Sequence, residues 1–144
     1  MEVMKNRLPG QMTVEFVAMF PVMLLIALIA VNATLFLSEC AAFDRVFRNA
    51  VCTYAASPAY GQGSDQSCAL VEEALREQFD ADNLSVQVSS SGSEGGIVAF
   101  AGRLSFEPTL FGMGALHGAF GVSFPALNHE EKISVSAYKP GVVI

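Results

Sequence analysis

The stretch GQMTVEFVAMFPVMLLIALIAVNATLFL, residues 10–37, decides the fold of this 144-residue chain. Residues 16–37 carry no charged side chain, and a 22-residue helix rising about 1.5 Å per residue reaches about 33 Å. That length crosses a hydrocarbon core of roughly 30 Å. A cleaved secretory peptide has a shorter apolar core and a small-residue exit, which this run does not match. The sequence therefore predicts a membrane anchor.

Charge on the two sides of the apolar run predicts its orientation. Lys5 and Arg7 precede it, whereas residues 39–144 hold six Lys or Arg against twelve Asp or Glu. Because basic flanks stay on the cytoplasmic side, we expect a single-pass protein of the cytoplasmic (inner) membrane, with its N-terminus inside and its head extracytoplasmic. The acidic exterior lacks a basic run, which argues against nucleic acid as a partner. The partner predicted for the anchor is the lipid bilayer.

Glu15 at the edge of the apolar run and Pro21 inside it each need a separate explanation. Glu15 stands at its edge, and because an ionised group costs roughly 2.5–3.5 kcal/mol at the centre of a membrane helix, a partner that neutralises it is one interpretation. The alternative is an interfacial residue that reaches headgroup water. Pro21 lies inside the run, where it removes one backbone hydrogen bond and is expected to kink the helix.

The helix continues beyond the apolar run. No Gly or Pro interrupts residues 38–56, and Ser57 before Pro58 is expected to stop the helix, which gives one helix over about residues 13–56. Its extracytoplasmic half, residues 38–58, is amphipathic, with Asp44 and Arg48 as an i,i+4 pair on another side. The predicted apolar stripe consists of Phe43, Phe47, Val51 and Tyr54.

Residues 59–144 are predicted to form the extracytoplasmic head. A second helix is expected over residues 65–79, capped by Ser64 or Asp65. Period-two alternation predicts strands over residues 84–89, 98–106 and 133–138. Helices followed by strands indicate an α+β fold, in which a small antiparallel β-sheet packs on the amphipathic half of the first helix.

The cysteines, histidines and acidic turn residues are the candidates for a disulfide or a metal site. Cys52 and Cys68 would close a loop of about 16 residues, so a disulfide between them is predicted to stabilise the head by about 3 kcal/mol. Cys40 is interpreted as a packing residue. There is no CxxC pair, and His117 and His129 lie far downstream, so neither metal nor cofactor is expected. Turn chemistry explains Asp80, Asp82 and Asn83 better than a calcium loop does.

Residues 109–127 are apolar, uncharged and rich in glycine. A second membrane span is possible by length, but four glycines, His117 and Pro125 make it a poor one. A long loop that partly covers the sheet is favoured. The third alternative is an exposed apolar surface that contacts a partner.

The segment GQMTVEFVAMFPVMLLIALIAVNATLFLSECAAFDRVFRNA, residues 10–50, resembles the N-terminal signature of TadE-like proteins. These are minor pilins or pseudopilins of tight-adherence (Flp) type IV pilus systems. The matching features are a basic leader that ends in Gly10, Glu15 and Phe16 shortly after it, Pro21 in the apolar run, and arginines in an alanine- and phenylalanine-rich helix beyond. The head fits the family only loosely.

The resemblance implies that a prepilin peptidase cuts between Gly10 and Gln11. This divides the chain into a leader (residues 1–10), a transmembrane half of the long helix (residues 11–37) and the outer parts described above. The resemblance also implies that Glu15, with Phe16 beside it, attracts the new amino terminus of a neighbouring subunit. Gln11 stands where many pilins have Phe, which puts methylation of that terminus in doubt.

The partners that follow from the resemblance are the prepilin peptidase, other pilin or pseudopilin subunits and the inner-membrane assembly platform. The head is longer than in the small major Flp pilins, which favours a minor or priming subunit, in the platform or in a surface pilus. Two rival functions stay open. One is a signal-anchored surface binding module that is not processed. The other, a tethered enzyme, would need clustered ionisable groups that the sequence does not offer, and the chain is predicted not to be an enzyme.

Overall fold

The structure, a computed structural model, describes residues 9–56 and 58–136. It confirms the predicted α+β fold: a long N-terminal apolar helix, a short second helix and a small antiparallel sheet. The predicted leader lies almost wholly outside the described residues, as do Ser57 and residues 137–138 of the last predicted strand. The elements are α1 (Pro9–Tyr54), α2 (Ser64–Gln78), β1 (Leu84–Glu94), β2 (Ile97–Phe106), β3 (Gly118–Ala119), β4 (Val122–Ser123) and β5 (Leu127–Ser136).

The first helix, α1, is 46 residues long and contains Pro21 without ending there. Residues 11–56 hold no glycine, so Pro21 is the one breaker in their sequence, and a membrane helix tolerates proline better than a helix in water. The predicted kink at Pro21 stays a prediction.

The apolar stripe on the outer half of α1 forms the core, with one correction. Phe43, Phe47 and Val51 are completely buried, but Tyr54 is 37% exposed and Ala55 is buried in its place. At 3.6 residues per turn, four residues advance a helix about 40° past a full turn, whereas three fall about 60° short of one. Ala55 therefore lies closer than Tyr54 to the line of the stripe.

The second helix packs on the same core. Val71 and Leu75 are fully buried, and Phe79, which follows the last turn, is buried as well. The N-cap is Gly63 rather than the expected Ser64 or Asp65. Glycine has no side chain that could accept from the first turn. The Gln66 side chain makes the reciprocal contact of a capping box, in which its Oε1 accepts a hydrogen bond from the Gly63 N–H at 3.3 Å.

The three-stranded sheet has the order β1-β2-β5, and both pairings are antiparallel. The central strand β2 buries alternate residues, as its period-two pattern predicts: Val98, Phe100, Gly102, Leu104 and Phe106. The third strand starts at Leu127, earlier than predicted. Its first half carries ionisable residues that alternate between half-buried (His129, Glu131) and exposed (Glu130, Lys132), so hydrophobicity alone could not reveal it.

Gly102 allows α1 to lie close to the sheet. A Cβ at this position would be 2.8 Å from Cε2 of Phe47 and 2.9 Å from Cζ of Phe43. The two rings stack on each other with centroids 5.6 Å apart and 4° between their planes. A glycine in the middle of the central strand is therefore a packing requirement of this helix–sheet contact.

Two contacts fix the direction of β2 relative to α1. Phe106 packs against Phe36, with ring centroids 5.8 Å apart, whereas Gly102 lies under Phe43 and Phe47. Between these contacts α1 rises about 13 Å and β2 covers about 13 Å, so the two run antiparallel. The C-terminal end of β2, and the loop that follows it, consequently point toward the N-terminal half of α1.

Candidate functional site

The N-terminal half of α1 forms an exposed apolar surface. The helix is long and apolar enough to cross a membrane, and its most apolar window is only 6% buried. A core helix of a soluble protein would be mostly buried instead. An exposed apolar surface of this extent is typical of a membrane contact or an interface with another protein. The exposed side chains are those of Met12, Val14, Phe16, Val17, Met19, Phe20, Val22, Met23 and Ile26.

Gly10 and Gln11, the predicted cleavage residues, lie in the first turn of α1. Gly10 is exposed, and a Cβ built on it would meet nothing within 4 Å. Its φ also lies outside the left-handed region that favours glycine. No contact in the described part of the chain therefore requires glycine here. In a helix interior glycine is about 1 kcal/mol less favourable than alanine, which weakens this turn.

Glu15 and Phe16, the predicted pairing residues, are both exposed on α1. Phe16 is 61% exposed and its ring lies 6.2 Å from that of Phe20. Within residues 9–56 and 58–136, no cationic group forms a salt bridge with the Glu15 carboxylate. The structure thus places a carboxylate among exposed apolar side chains, with no counter-ion from the described part of its own chain.

A second polar feature of α1, which the sequence analysis missed, is Asn32. Its side chain is buried (6% exposed) and makes a two-way contact with Thr109, which we name the Asn32–Thr109 clasp. The Thr109 N–H donates to Asn32 Oδ1 at 2.8 Å, and Asn32 Nδ2 donates to the Thr109 carbonyl at 3.0 Å. Asn32 Nδ2 also donates to the carbonyl of Leu28 at 2.9 Å. An amide inside an apolar run is the signal that could have revealed this contact.

Replacing Asn32 with leucine is expected to open the clasp. The Thr109 N–H and carbonyl would lose their partner, and an unsatisfied buried polar group costs about 1–3 kcal/mol. Hydrogen exchange of the purified full chain should then speed up at least tenfold for amides of residues 109–116. Thr34→Ala is the matched control, since Thr34 is exposed and bonds only to the carbonyl of Ala30 in its own helix. Equal exchange in the two variants would contradict the role given to Asn32.

The segment 109–127 is a loop with a short hairpin. An isolated bridge joins Thr109 and Ala115, and β3 pairs with β4, so the alternative of a second membrane-spanning helix is wrong. The segment is a loop, as favoured, but the clasp ties it to α1 and many of its side chains are exposed, so the expectation that it partly covers the sheet stays a prediction. Five large apolar side chains are exposed here, which we name the apolar rim: Leu110, Phe111, Met113, Phe120 and Val122.

Two residues of the apolar rim have an unfavourable backbone conformation. Phe111 and Phe120 have φ values of 50° and 51°. The left-handed region costs a residue with a side chain about 1–2 kcal/mol relative to the right-handed one. Both phenylalanines are also mostly exposed, at 59% and 63%. Burial within the described part of this chain therefore does not compensate for the free energy of the left-handed backbone conformation of Phe111 and Phe120.

Polar pairs link α1 to β5 in a way the sequence analysis did not predict. Asp44 Oδ1 lies 2.7 Å from Nε2 of His129, and Nη2 of Arg48 lies 3.9 Å from Oε1 of Glu131. The expected pair between Asp44 and Arg48 within α1 is therefore replaced by two contacts between α1 and β5. The His129 ring also packs edge-on against Phe43.

On the exposed face of the sheet, hydrogen bonds from Lys132 and Arg103 hold the pKa of the Glu130 carboxyl below its ordinary value.

The predicted Cys52–Cys68 disulfide is absent from the structure. All three cysteines are free, and no two of them lie at disulfide distance. Cys52 follows the buried Val51 and is turned outward to solvent, whereas Cys68 is half-buried on α2. Burial, followed by the nearby charges of Glu72 and Asp65, raises the pKa of the Cys68 thiol. Cys40 is buried, as expected of a packing residue.

The stretch before β1 forms a turn at Asp82 and Asn83, in agreement with the turn chemistry predicted for them. Asn83 and the residues before it form a turn, in which the Leu84 N–H donates to the Ala81 carbonyl at 2.9 Å. Within the described residues, no group of three His, Cys, Asp or Glu side chains could hold a metal ion. The open groove on α2 is lined by Ala69, Glu72, Glu73, Arg76, Glu77 and Asp80.

The structure thus places Gly10, Gln11, Glu15 and Phe16 within about two turns of one helix and separates Cys52 from Cys68. Comparison of the chain with protein-family models, with curated proteins and with solved structures found no match.

Proposed function

We propose that this chain is a minor pilin or pseudopilin that supports assembly of a tight-adherence (Flp) type IV pilus after a prepilin peptidase removes residues 1–10. The observation that carries the proposal is Glu15, a carboxylate exposed among apolar side chains with no counter-ion in the described part of the chain. Such a group in or near lipid needs a partner, and the exposed helix around it offers a surface for another helix.

Leader removal would supply that partner. Cutting after Gly10 leaves an α-amino group on Gln11, which has an ordinary pKa of about 7.7–8.0 and is largely protonated at neutral pH. Glu15 lies four residues further on, about 6 Å along the helix axis. Glu15 is exposed on α1, so a neighbouring subunit displaced along the axis can bring its own ammonium to this carboxylate. Pairing two desolvated charges fixes the register between helices.

Gly10 supports the proposed removal of the leader. Neither packing nor backbone conformation of the described residues calls for glycine there, and a residue without a side chain would fit the narrow cleft of a peptidase. The weak first turn of α1 can also open to present the Gly10–Gln11 bond. In this proposal the chain is a substrate and a structural subunit, and it catalyses no reaction.

The proposed topology has the basic leader in the cytoplasm and the acidic head in the extracytoplasmic space. Lys5 and Arg7 precede the exposed half of α1, and the head carries the excess of Asp and Glu. Because positive flanks are retained inside, the Gly10–Gln11 bond would face a peptidase active at the cytoplasmic side of the membrane. Assembly partners in the same membrane would meet the exposed half of α1.

Gly10→Val is expected to slow leader removal at least tenfold, because the added side chain would clash in the peptidase cleft, while a Cβ at position 10 meets no atom of the described residues within 4 Å. The measurement is the intact mass of the membrane-extracted protein in a host that expresses the peptidase. Ala18→Val, which enlarges another exposed residue of α1, is the control and should be trimmed normally. Untrimmed wild-type protein, or equal trimming of Gly10→Val and wild type, would contradict the processing step.

An unprocessed, signal-anchored binding module is the second candidate function. The apolar rim favours it, since exposed apolar side chains are a common feature of binding surfaces. This candidate predicts that the N-terminal residues remain on the mature protein and that Glu15→Ala has no effect. The mass measurement on the wild-type chain therefore separates the two functions.

A further inference from the structure

We propose that the apolar rim inserts into the outer-leaflet boundary between lipid headgroups and acyl chains, and gives the protein a second membrane contact beside α1. The partner is bilayer lipid. The inference requires α1 to cross a bilayer, but it does not depend on leader removal or on a role in a pilus.

The length of α1 needed to cross a bilayer places the loop held by Asn32 at the level of the hydrocarbon core. The part of α1 that lies between Glu15 and the first buried residue, Leu28, is residues 16–27. Its length is about 18 Å, too short for a hydrocarbon core of roughly 30 Å. A span that keeps Glu15 at the inner edge must therefore include residues 28–35. That is the level at which Asn32 holds Thr109.

The depth of the clasp follows from the same arithmetic. If the hydrocarbon core begins at Phe16, Asn32 lies about 24 Å into it, or about 6 Å below the outer boundary. Interfacial segments bury their apolar side chains about 5–10 Å into the headgroup and acyl boundary. The antiparallel direction of β2 points the whole loop from Pro108 toward this level. Position alone therefore places the loop where lipid begins.

Contact with lipid requires backbone polar groups to find partners within the protein, and part of the loop backbone meets this condition. Five N–H groups do so: Thr109 to Asn32, Leu110 to Gly114, Gly112 to the Thr109 hydroxyl, Met113 to Leu110, and Leu116 to Pro108. Residues 108–128 contain no Asp, Glu, Lys or Arg. Glu107, exposed just before this stretch, would keep the contact shallow.

The strained phenylalanines support lipid as the occupant. Phe111 and Phe120 are the two non-glycine residues with positive φ in the described part of the chain, and both belong to the apolar rim. Their left-handed conformation costs free energy that burial inside the chain does not return. Transfer of the rings into the acyl boundary would return it through removal of apolar surface from water.

The chain has no tryptophan, so a single introduced tryptophan reports on its own surroundings. The full chain carrying Phe120→Trp, and separately Met113→Trp, is placed in phosphatidylcholine nanodiscs at one chain per disc. Met113 has no positive φ and is 77% exposed, so this second probe avoids any folding defect caused by a tryptophan at position 120. Quenching is measured with lipids brominated at shallow or deep acyl carbons and with aqueous iodide.

Two reference probes make each outcome decisive. Phe20→Trp on the exposed half of α1 should be quenched by brominated lipid and reports that α1 spans the disc. Tyr60→Trp, fully exposed in the connector before α2, should respond to iodide alone. We expect the two rim probes to be quenched mainly by shallow bromines and at least threefold less by iodide than the Tyr60 probe.

Iodide quenching of both rim probes equal to that of the Tyr60 probe, while the Phe20 probe responds to lipid, would overturn the inference. Protection of both rim probes from lipid and iodide alike would also overturn it, since a protein contact would then cover the rim. The mass of the same wild-type preparation reports separately on leader removal, so failure of the proposed function can be recognised independently.

Discussion

Glu15→Gln is expected to leave leader removal intact while the number of pili falls at least tenfold. Removal of one partner from a buried charge pair costs about 3–5 kcal/mol, because the other charge stays unpaired. At about 1.4 kcal/mol per factor of ten, this weakens helix pairing more than a hundredfold. The measurement combines pilus counts by electron microscopy with the intact mass of the membrane-extracted variant.

The control for this variant is Glu73→Gln, which removes one carboxylate from the exposed surface of α2 and should give normal pilus counts. Trimming of Glu15→Gln should equal that of the wild type, since the proposed peptidase would contact the region of Gly10. Pili at the wild-type number in Glu15→Gln would contradict the pairing role of this acid, even if the leader is removed.

Phe43→Ala is expected to destabilise the head by about 3–5 kcal/mol, the usual cost of removing a buried aromatic ring. Phe43 is completely buried, with ring contacts to Phe47 in its own helix, to Phe79 just after α2 and to His129 on β5. For a domain of this size, 1 kcal/mol corresponds to a shift of about 4–8 °C in Tm, so Tm should fall by at least about 10 °C. Scanning calorimetry of the detergent-solubilised full chain measures this shift.

Tyr54→Ala provides the comparison for Phe43→Ala. The sequence pattern places both residues on one stripe, but the structure leaves Tyr54 37% exposed. Its truncation should therefore lower Tm by less than about a third of the shift seen for Phe43→Ala. Similar shifts for the two variants would show that the stripe extends to Tyr54 and that the observed burial is wrong.

The sequence predicted the elements whose hydrophobic period is regular. The uncharged run of residues 16–37 and the stripe through Phe43 and Phe47 predicted α1, and period-two alternation predicted β2. The first half of β5 was missed because His129 and Glu131 face α1 and find Asp44 and Arg48 there. Such pairs satisfy half-buried ionisable groups through residues far away in sequence, which local hydrophobicity does not report.

Only those residues of the candidate site that stand out from their neighbours in sequence could be predicted. Glu15 stands out against an apolar run, and Gly10 against the helix that follows it. The clasp was not predictable, since Asn32 and Thr109 are 77 positions apart and meet only after β2 has turned back along α1. The cysteine spacing predicted a loop of suitable length, but it could not reveal that Cys52 faces solvent.

The central claim is that the Glu15 carboxylate pairs with the amino terminus of a neighbouring subunit. The most direct test treats membranes that contain assembling pili with a membrane-permeant carbodiimide, which joins a carboxylate and an amine in contact, and maps the products by mass spectrometry. The claim predicts an amide bond between Glu15 and the terminal amine of a different pilin chain. A product confined to a single chain, or no crosslink at Glu15 in membranes where pili assemble normally, would contradict it.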